Sequence, residues 1–170
     1  MIDSLTIRSE KAADIDRITQ ILEAAFENHP HSNQKEHLLV SELRAEDALT
    51  LSLVVEVYEN IVGHIAFSEV TINGIFDSWY GLAPASVDPE YQNRGIGSRL
   101  IESGLTELKN RDAKGCVLVG EPEYYRRFGF QHQNKLTYEG VPEEYFLVQS
   151  FSEEIPGGQV KYHPLFNKYG

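Results

Sequence analysis

The segment of this sequence with the clearest chemical capacity is V-D-P-E-Y-Q-N-R-G-I-G-S-R-L-I, residues 87–101, where a predicted strand ends and a long helix begins. Backbone N–H groups in the first turn of a helix have no intrahelical acceptor and can therefore bind an anion. Glycine at positions 95 and 97 would let a pyrophosphate approach without meeting a Cβ atom, and Arg94 and Arg99 add positive charge. The pattern favours a phosphate-binding turn. The alternative is that both glycines only allow close packing of the helix on a sheet.

Two common phosphate motifs are excluded at this turn. No Gly-Lys-Ser/Thr follows it, as a P-loop requires, and the third glycine of a dinucleotide-binding fingerprint is absent. The local charge still suits an anion, because residues 91–130 hold seven basic and five acidic side chains, whereas the rest of the chain sums to −13. Basic residues toward helix C-termini are an ordinary alternative explanation for that excess.

Two motifs, in the same order, resemble those of the GNAT superfamily of N-acetyltransferases. Gln92–Gly97 (Q-N-R-G-I-G) is similar to the acyl-CoA signature Q/R-x-x-G-x-G/A, and Tyr125–Phe130 (Y-R-R-F-G-F) resembles the closing Tyr-x-x-x-Gly-Phe motif. The resemblance implies an α/β, GNAT-like three-layer fold, with a mixed and mostly antiparallel central sheet, splayed central strands, and helices on both faces. It covers nearly all 170 residues, so we expect a single N-acetyltransferase domain over residues 1–170.

The same resemblance implies acetyl-CoA as the co-substrate and no metal. The pantetheine arm would enter between the strand holding Pro84 and the strand Cys116–Val119, and a proline is suited to such a break because it cannot donate a ladder hydrogen bond. Backbone groups of the first strand would pair with the pantetheine amides, and N–H groups of the turn would hold the pyrophosphate. The implied cofactor-binding residues are Ala85, Ser86, Val87, Gln92, Asn93, Arg94, Gly95, Ile96, Gly97, Ser98, Arg99 and Tyr125. Arg126 and Arg127 are further candidates for the outer phosphate, with a solvated helix face as the alternative.

Acyl transfer also needs an acid for the departing thiolate, and Tyr125 matches the position of that acid in the superfamily. A phenol with an ordinary pKa of about 10 stays protonated near neutrality and can donate to sulfur. The alternative is that Tyr125 only packs against the cofactor arm. Tyr124 is the reserve candidate, although its place on the helix favours a core position.

Glu69 and Glu121 are the candidates for the general base, since the superfamily has no fixed position for this group. Glu69 alternates with Ile65 and Phe67, which predicts a carboxylate on a buried strand face; an end-of-strand glutamate facing solvent is the alternative. Glu121 directly follows a buried strand, and ordinary negative charge at a helix N-terminus is its alternative role. His64, on the opposite strand face from Glu69, is interpreted as a hydrogen-bonded sheet histidine.

The other reactive side chains are given structural roles. His29 and His31 lie in a loop without a set of further ligands, which argues against a metal site. Cys116 opens an apolar strand, which predicts a buried, inert thiol rather than an acyl-carrying nucleophile. Three aromatic residues of the tail would either wall an acceptor pocket or form a dimer interface. They are Tyr162, Phe166 and Tyr169.

Hydrophobic periodicity predicts the elements that must position these residues. The predicted helices cover residues 12–26, 34–45, 95–110 and 121–128. The predicted strands are 5–8, a hairpin of 49–58 and 61–72 turning at 59–60, 79–87 with a break at the proline, 116–119 and 145–151, followed by a loop-rich tail. The strand, long helix and strand between residues 79 and 119 predict a parallel crossover.

Composition limits the partners and the location. A chain of 170 residues with 41% hydrophobic content suits one domain with a real core. A net charge of −11 disfavours nucleic acid and anionic membrane surfaces. The single cysteine, the lack of a basic and apolar leader, and the lack of an apolar run of about 20 residues predict a reducing, cytoplasmic location.

These observations together predict an N-acetyltransferase that moves acetyl from acetyl-CoA directly to a primary amine. The acidic remainder of the surface favours a cationic acceptor, either a small amine or a lysine or N-terminus of a protein. One alternative is a non-catalytic acyl-CoA-binding or sensing module that lacks a competent acid and base. A second is a packing domain whose glycines bind nothing, and a homodimer is compatible with each reading.

Overall fold

Residues 4–169, the part of the chain that the computed structural model describes, contain both strands and helices. The strands are β1 (Leu5–Ser9), β2 (Leu51–Val57), β3 (Asn60–Glu69), β4 (Thr71–Ile72), β5 (Trp79–Val87), β6 (Gly115–Val119), β7 (Leu136–Thr137), β8 (Phe146–Ser150) and β9 (Gly158–Lys161). The α-helices are α1 (Ile15–Phe26), α2 (Glu36–Ala45), α3 (Ile96–Asn110), α4 (Pro122–Tyr125) and α5 (Leu165–Tyr169). Residues 1–3 and 170 of the predicted domain lie outside this description.

A six-stranded sheet in the order β1-β2-β3-β5-β6-β8 forms the middle layer. Its neighbouring strands are antiparallel except for β5 and β6, which are parallel and joined by α3. Alternation along β2 sends Val54 into a cluster with α1 and α2, and Val55 into a cluster with α3. Helices therefore cover both faces, which confirms the predicted three-layer α/β fold and its crossover.

The central strands β5 and β6 separate after a short stretch of pairing. Trp79–Gly81 pairs with Gly115–Val117, and the pairing goes no further. Beyond that point β5 pairs only with β3, and β6 only with β8. Pro84 lies in the separated part of β5, where it has no N–H group to offer a neighbouring strand. The predicted splay is confirmed, and its open end lies at Val87, where β5 leads into the turn before α3.

A second sheet of short strands, in the order β4-β9-β7, adds to the C-terminal half. The predicted loop-rich tail is therefore only partly right, since the tail also contains β9 and α5. Strands of two to four residues carry too little periodicity to be read from sequence, and they form through long-range pairs such as Ile72 with Val160. The predicted strand 61–72 is divided between β3 and β4, which belong to different sheets.

The other predicted elements agree with the structure to within a few residues. The hairpin of β2 and β3 turns at residues 58–59, one residue earlier than predicted, since Val57 pairs with Asn60. Both turn residues have positive φ, 48° and 70°, as tight two-residue hairpin turns require. Within residues 4–169 no helix has the length and apolar character needed to cross a membrane.

Candidate active site

The turn before α3 presents unpaired N–H groups to open space. Gly95 stands at the N-cap of α3 with a φ of 81°, in the left-handed region, and no side chain caps the helix there. The first intrahelical hydrogen bond is donated by Arg99 N to Gly95 O at 3.1 Å. The N–H groups of residues 96–98 precede that bond and are available to an anion.

The space around the two glycines of the turn distinguishes anion binding from close packing. A Cβ atom added to Gly95 would meet nothing within 4 Å, and one added to Gly97 would come no closer than 3.7 Å to its nearest neighbour, Tyr124 Oη. Packing of α3 on the sheet depends instead on Gly104, where a methyl group would overlap the Phe67 ring. Packing requires neither glycine of the turn, so the surface outside them is open to a ligand.

Side chains from the turn itself and from α1 hold the turn in place. Gln92 Nε2 donates to Val87 O at 3.0 Å, so the first residue of the motif closes the turn on itself. Asp88 Oδ1 accepts from Glu90 N at 2.9 Å, and Asp88 Oδ2 accepts from Arg17 Nη2 at 2.6 Å. Sequence reasoning missed Arg17, because no local pattern marks a contact between residues 71 positions apart.

The four arginines predicted as candidates for contact with the phosphates have no acidic partner within residues 4–169. They are Arg94, Arg99, Arg126 and Arg127, and all four are exposed. Arg127 Cζ lies 4.7 Å from the centroid of the Tyr124 ring, and its Nε donates to Tyr124 O at 2.9 Å. Because Tyr124 Oη would lie 3.7 Å from a Cβ atom at Gly97, Arg127 contacts a side chain that reaches the turn.

The residues predicted to meet the pantetheine arm lie in the separated part of β5. Ala85 and Val87 pack against the α3 side, whereas Ser86 is buried on the other face. All three pair with β3, so their edge toward β6 has no strand partner. Ser86 Oγ has no hydrogen-bond partner within residues 4–169. The free edge is available to an extended ligand in the gap.

Tyr125 lies in α4, a few residues after the end of β6. Its ring covers Gly120, where a methyl group would overlap it. Burial raises the pKa of Tyr125 to about 12, with a smaller contribution from Tyr124, so the phenol stays protonated at neutral pH. The Tyr124 ring stands nearly perpendicular to it at 5.0 Å, with its hydroxyl nearest Gly97. The predicted core position of Tyr124 is therefore only partly right, since its polar end faces the turn.

The two candidate bases lie at opposite ends of the gap. Glu69 is exposed, and it pairs with Tyr80 on the closed side of the point where β5 and β6 separate. The expectation of a buried carboxylate at Glu69 is wrong, because β3 leaves the core at its last residue. Glu121 is exposed at the N-cap of α4, and its carbonyl oxygen accepts from Tyr125 N at 3.1 Å. The fold thus brings Glu121, and not Glu69, to the segment that holds Tyr125.

His64 is the buried member of a polar network that joins β3 to β2, to α2 and to Glu10, the residue after β1. His64 Nε2 lies 2.8 Å from Ser52 Oγ and 4.0 Å from Glu10 Oε1, while Glu10 pairs with Arg44 at 2.7 Å. Burial lowers the pKa of His64 to about 4, so the ring is neutral at physiological pH. Its Nδ1 has no partner within residues 4–169. The predicted sheet histidine is thus hydrogen-bonded at one nitrogen only.

The remaining reactive groups lie outside the gap or are inaccessible. Cys116 is buried, and burial raises the pKa of its thiol well above the ordinary value, which agrees with the predicted inert role. The rings of His29 and His31 lie 6.1 Å apart in the loop after α1. In the described part of the chain, no group of three or more His, Cys, Asp or Glu side chains could hold a metal ion.

Known proteins are similar to this chain over most of its length. The sequence matches the family described as Acetyltransferase (GNAT) domain over residues 6–133. YhbS of Escherichia coli K12, named an uncharacterized N-acetyltransferase, is 31% identical over 172 residues, covering 97% of this chain and 100% of YhbS. The crystal structure of a GNAT family acetyltransferase from Brucella melitensis in complex with acetyl-CoA is 46% identical with a TM-score of 0.86, covering 95% of this chain and 97% of that one. The crystal structure of Escherichia coli YhbS in complex with CoA has a TM-score of 0.91 at 32% identity, covering 98% and 94%.

Proposed function

The chain belongs to the GNAT family of N-acetyltransferases, and on that premise we propose that it transfers an acetyl group from acetyl-CoA directly to a primary amine. The observation that carries the proposal is the open turn before α3, whose unpaired N–H groups stand at the mouth of the gap between β5 and β6. A pyrophosphate suits the turn, and an extended thioester-bearing arm suits the gap. The similar proteins from Brucella melitensis and Escherichia coli bind acetyl-CoA and CoA, which supports this choice of co-substrate.

The chain's own groups would bind and orient acetyl-CoA, which supplies the activated acetyl group. N–H groups of residues 94–98 would hold the pyrophosphate, within the turn that Gln92 closes and where Asn93 has a positive φ of 64°. The exposed guanidinium groups beside the turn would meet the outer phosphate, and they have no competing acidic partner in the described residues. Backbone groups of residues 85–87 would form the hydrogen bonds that β6 does not provide.

The transfer step requires one acid and one base. The amine nitrogen forms a bond to the thioester carbon, and the carbon–sulfur bond then breaks. The Tyr125 hydroxyl would donate its proton to the departing thiolate, a role supported by the burial that keeps the phenol protonated. Glu121, directly or through water, would accept the proton that the amine loses. Glu69 is the weaker candidate because it lies beyond the closed end of the gap.

The acceptor class is proposed from charge. Outside residues 91–130 the chain carries −13, so most of its surface attracts cations and repels anions. A small cationic amine, or a lysine or N-terminus of a protein, fits that surface. The amine must lose its proton before it attacks, which is the reason for a base at the mouth of the gap.

Calorimetric titration tests the binding half of the proposal. The wild type should bind acetyl-CoA and CoA saturably and ATP far more weakly. Gly97→Glu should abolish binding, because it places bulk and negative charge where the pyrophosphate would lie, whereas Gly97→Ala should retain it, since the signature admits alanine at that position. If the glutamate variant binds as tightly as the wild type, or if the wild type does not bind at millimolar acetyl-CoA, the proposed pyrophosphate-binding turn is contradicted.

Thiol release over a panel of cationic, neutral and anionic amines tests the catalytic half. Cationic amines should turn over fastest. Turnover confined to anionic acceptors would contradict the proposed acceptor class. Saturable acetyl-CoA binding with no turnover on any amine would contradict the proposed catalysis and favour a non-catalytic acyl-CoA-binding module.

A further inference from the structure

Gly81 marks the closed end of the gap between β5 and β6. It is the last residue of β5 that pairs with β6, opposite Val117. Along β5, Tyr80 and Leu82 pack in the cluster that contains α3, whereas Trp79 packs on the opposite face with Val117. Gly81 alternates with Tyr80 and Leu82, so it also faces away from α3.

A side chain from the tail fills the space that Gly81 leaves. The ring of Tyr162, which follows β9, lies against Gly81 so closely that a methyl group there would overlap it. Tyr162 is partly buried and packs against the cluster that contains Val117. Its ring is held from the sides by Tyr138, at 5.1 Å between centroids, and by Phe166, at 4.9 Å. The Tyr162 ring therefore forms a wall beside Gly81 that is held in place by its neighbours.

An arm bound in the gap would have its reactive end directed at this wall. If the phosphates bind at the turn before α3, the arm enters at the open end, near Val87, and extends toward Gly81. In the plane of the sheet, pairing of β5 with β6 closes the path beyond Gly81. On the α3 face, Leu82 and Leu100 are buried in one hydrophobic cluster. The remaining direction for a longer acyl chain is the space that the Tyr162 ring occupies.

We infer that Tyr162 is a specificity-determining residue that closes the acyl end of the gap and restricts transfer to short acyl groups, acetyl above all. This inference rests on the proposed function. The restriction is one of shape, since it requires the ring and not its hydroxyl group. It assigns a role to one of the tail aromatics, which the sequence left open between an acceptor pocket and a dimer interface.

The test is the acyl-chain selectivity of matched variants. For acetyl-, butyryl- and hexanoyl-CoA, kcat/KM is measured with one amine acceptor, and dissociation constants are measured by calorimetry. Tyr162→Ala should raise the ratio of hexanoyl to acetyl, in both quantities, by about tenfold or more, because a few methylene groups gain room. Tyr162→Phe, which keeps the ring, should leave the ratio unchanged. Ratios are used because they do not depend on the fraction of folded enzyme.

Phe151→Ala is the matched control for general loosening. Phe151 is partly buried like Tyr162, but it follows β8 at the edge away from the open end of the gap, where its N–H donates to Lys114 O. Its removal should leave the hexanoyl to acetyl ratio unchanged. If Tyr162→Ala does not fold, Tyr162→Leu is measured instead, with a smaller shift in the same direction.

The possible failures are distinguishable. An unchanged ratio in Tyr162→Ala or Tyr162→Leu, or an equal rise in Phe151→Ala, overturns the role of Tyr162 while the acetyltransferase remains. A wild type that binds acetyl-CoA without turnover contradicts the proposed catalysis. The dissociation constants still test whether Tyr162 limits the length of the bound acyl group. A wild type that binds hexanoyl-CoA as tightly as acetyl-CoA directly contradicts the proposal that Tyr162 restricts the length of the acyl group.

Discussion

At the scale of residues, Tyr124 and Tyr125 are adjacent in sequence but face different parts of the gap. The Tyr124 hydroxyl lies nearest Gly97, at the phosphate turn, whereas the Tyr125 ring covers Gly120 at the end of β6. Burial raises the pKa of Tyr125 to about 12, so its phenol is protonated at neutral pH. A protonated phenol beside the end of β6 suits proton donation to sulfur, whereas a hydroxyl group beside the turn suits contact with a phosphate.

Tyr125→Phe should therefore lower kcat by about 100-fold or more, because it removes a general acid, while the dissociation constant of acetyl-CoA stays within about twofold. Steady-state kinetics with one amine and calorimetry on the same preparation measure the two quantities. Tyr124→Phe is the matched control, which should weaken acetyl-CoA binding more than it lowers kcat. If both variants retain wild-type kcat, neither phenol is the acid.

At the scale of elements, α3 uses its glycines in two different ways. Gly97, in the first turn, lies against open space, whereas Gly104, about two turns further along the helix, lies against the Phe67 ring. Helix propensity favours alanine over glycine at both positions by up to about 1 kcal/mol. Only at Gly104 does the added methyl group meet a buried ring that has to move.

Gly104→Ala should therefore lower the free energy of unfolding by about 1–3 kcal/mol through overpacking, and Gly97→Ala should leave it unchanged or slightly raise it. Urea denaturation of the two variants beside the wild type measures the difference. Comparable destabilisation by both substitutions would show that the turn glycine also serves packing, and would weaken the case that its surface is reserved for a ligand.

The elements that could be predicted from sequence are those whose signal is local. The apolar period of α3, the hairpin of β2 and β3, and the motif Gln92–Gly97 each lie within one short window. The contacts that complete the site join distant positions, as Tyr162 does with Gly81, and no periodicity encodes them. Alternation placed Glu69 on a strand face correctly, but it could not show that β3 leaves the core at that residue.

At the scale of the whole molecule, the net charge and the burial of His64 change the stability in opposite directions as the pH falls. A net charge of −11 at pH 7 is self-repulsive, and protonation of exposed carboxylates in acid relieves it. The buried network around His64 has the opposite effect, because it binds the neutral imidazole. The total dependence of stability on pH mixes both contributions, so the His64 contribution has to be isolated by difference.

The stability that depends on a neutral His64 ring should decrease in acid. Burial lowers the folded-state pKa of His64 to about 4, below the ordinary value of 6.5, so between these values the unfolded chain binds more protons than the folded one. Stability from the neutral ring is therefore complete above pH 6.5 and falls by roughly 3 kcal/mol as the pH drops to about 4. When both are measured in urea from pH 7.5 to 4.5, the free energy of unfolding of the wild type should fall relative to that of His64→Gln as the pH drops. The exposed His132→Gln provides the control and should follow the wild type at every pH. A constant difference between the wild type and His64→Gln would show that His64 does not titrate in unfolding, and would contradict a buried neutral imidazole.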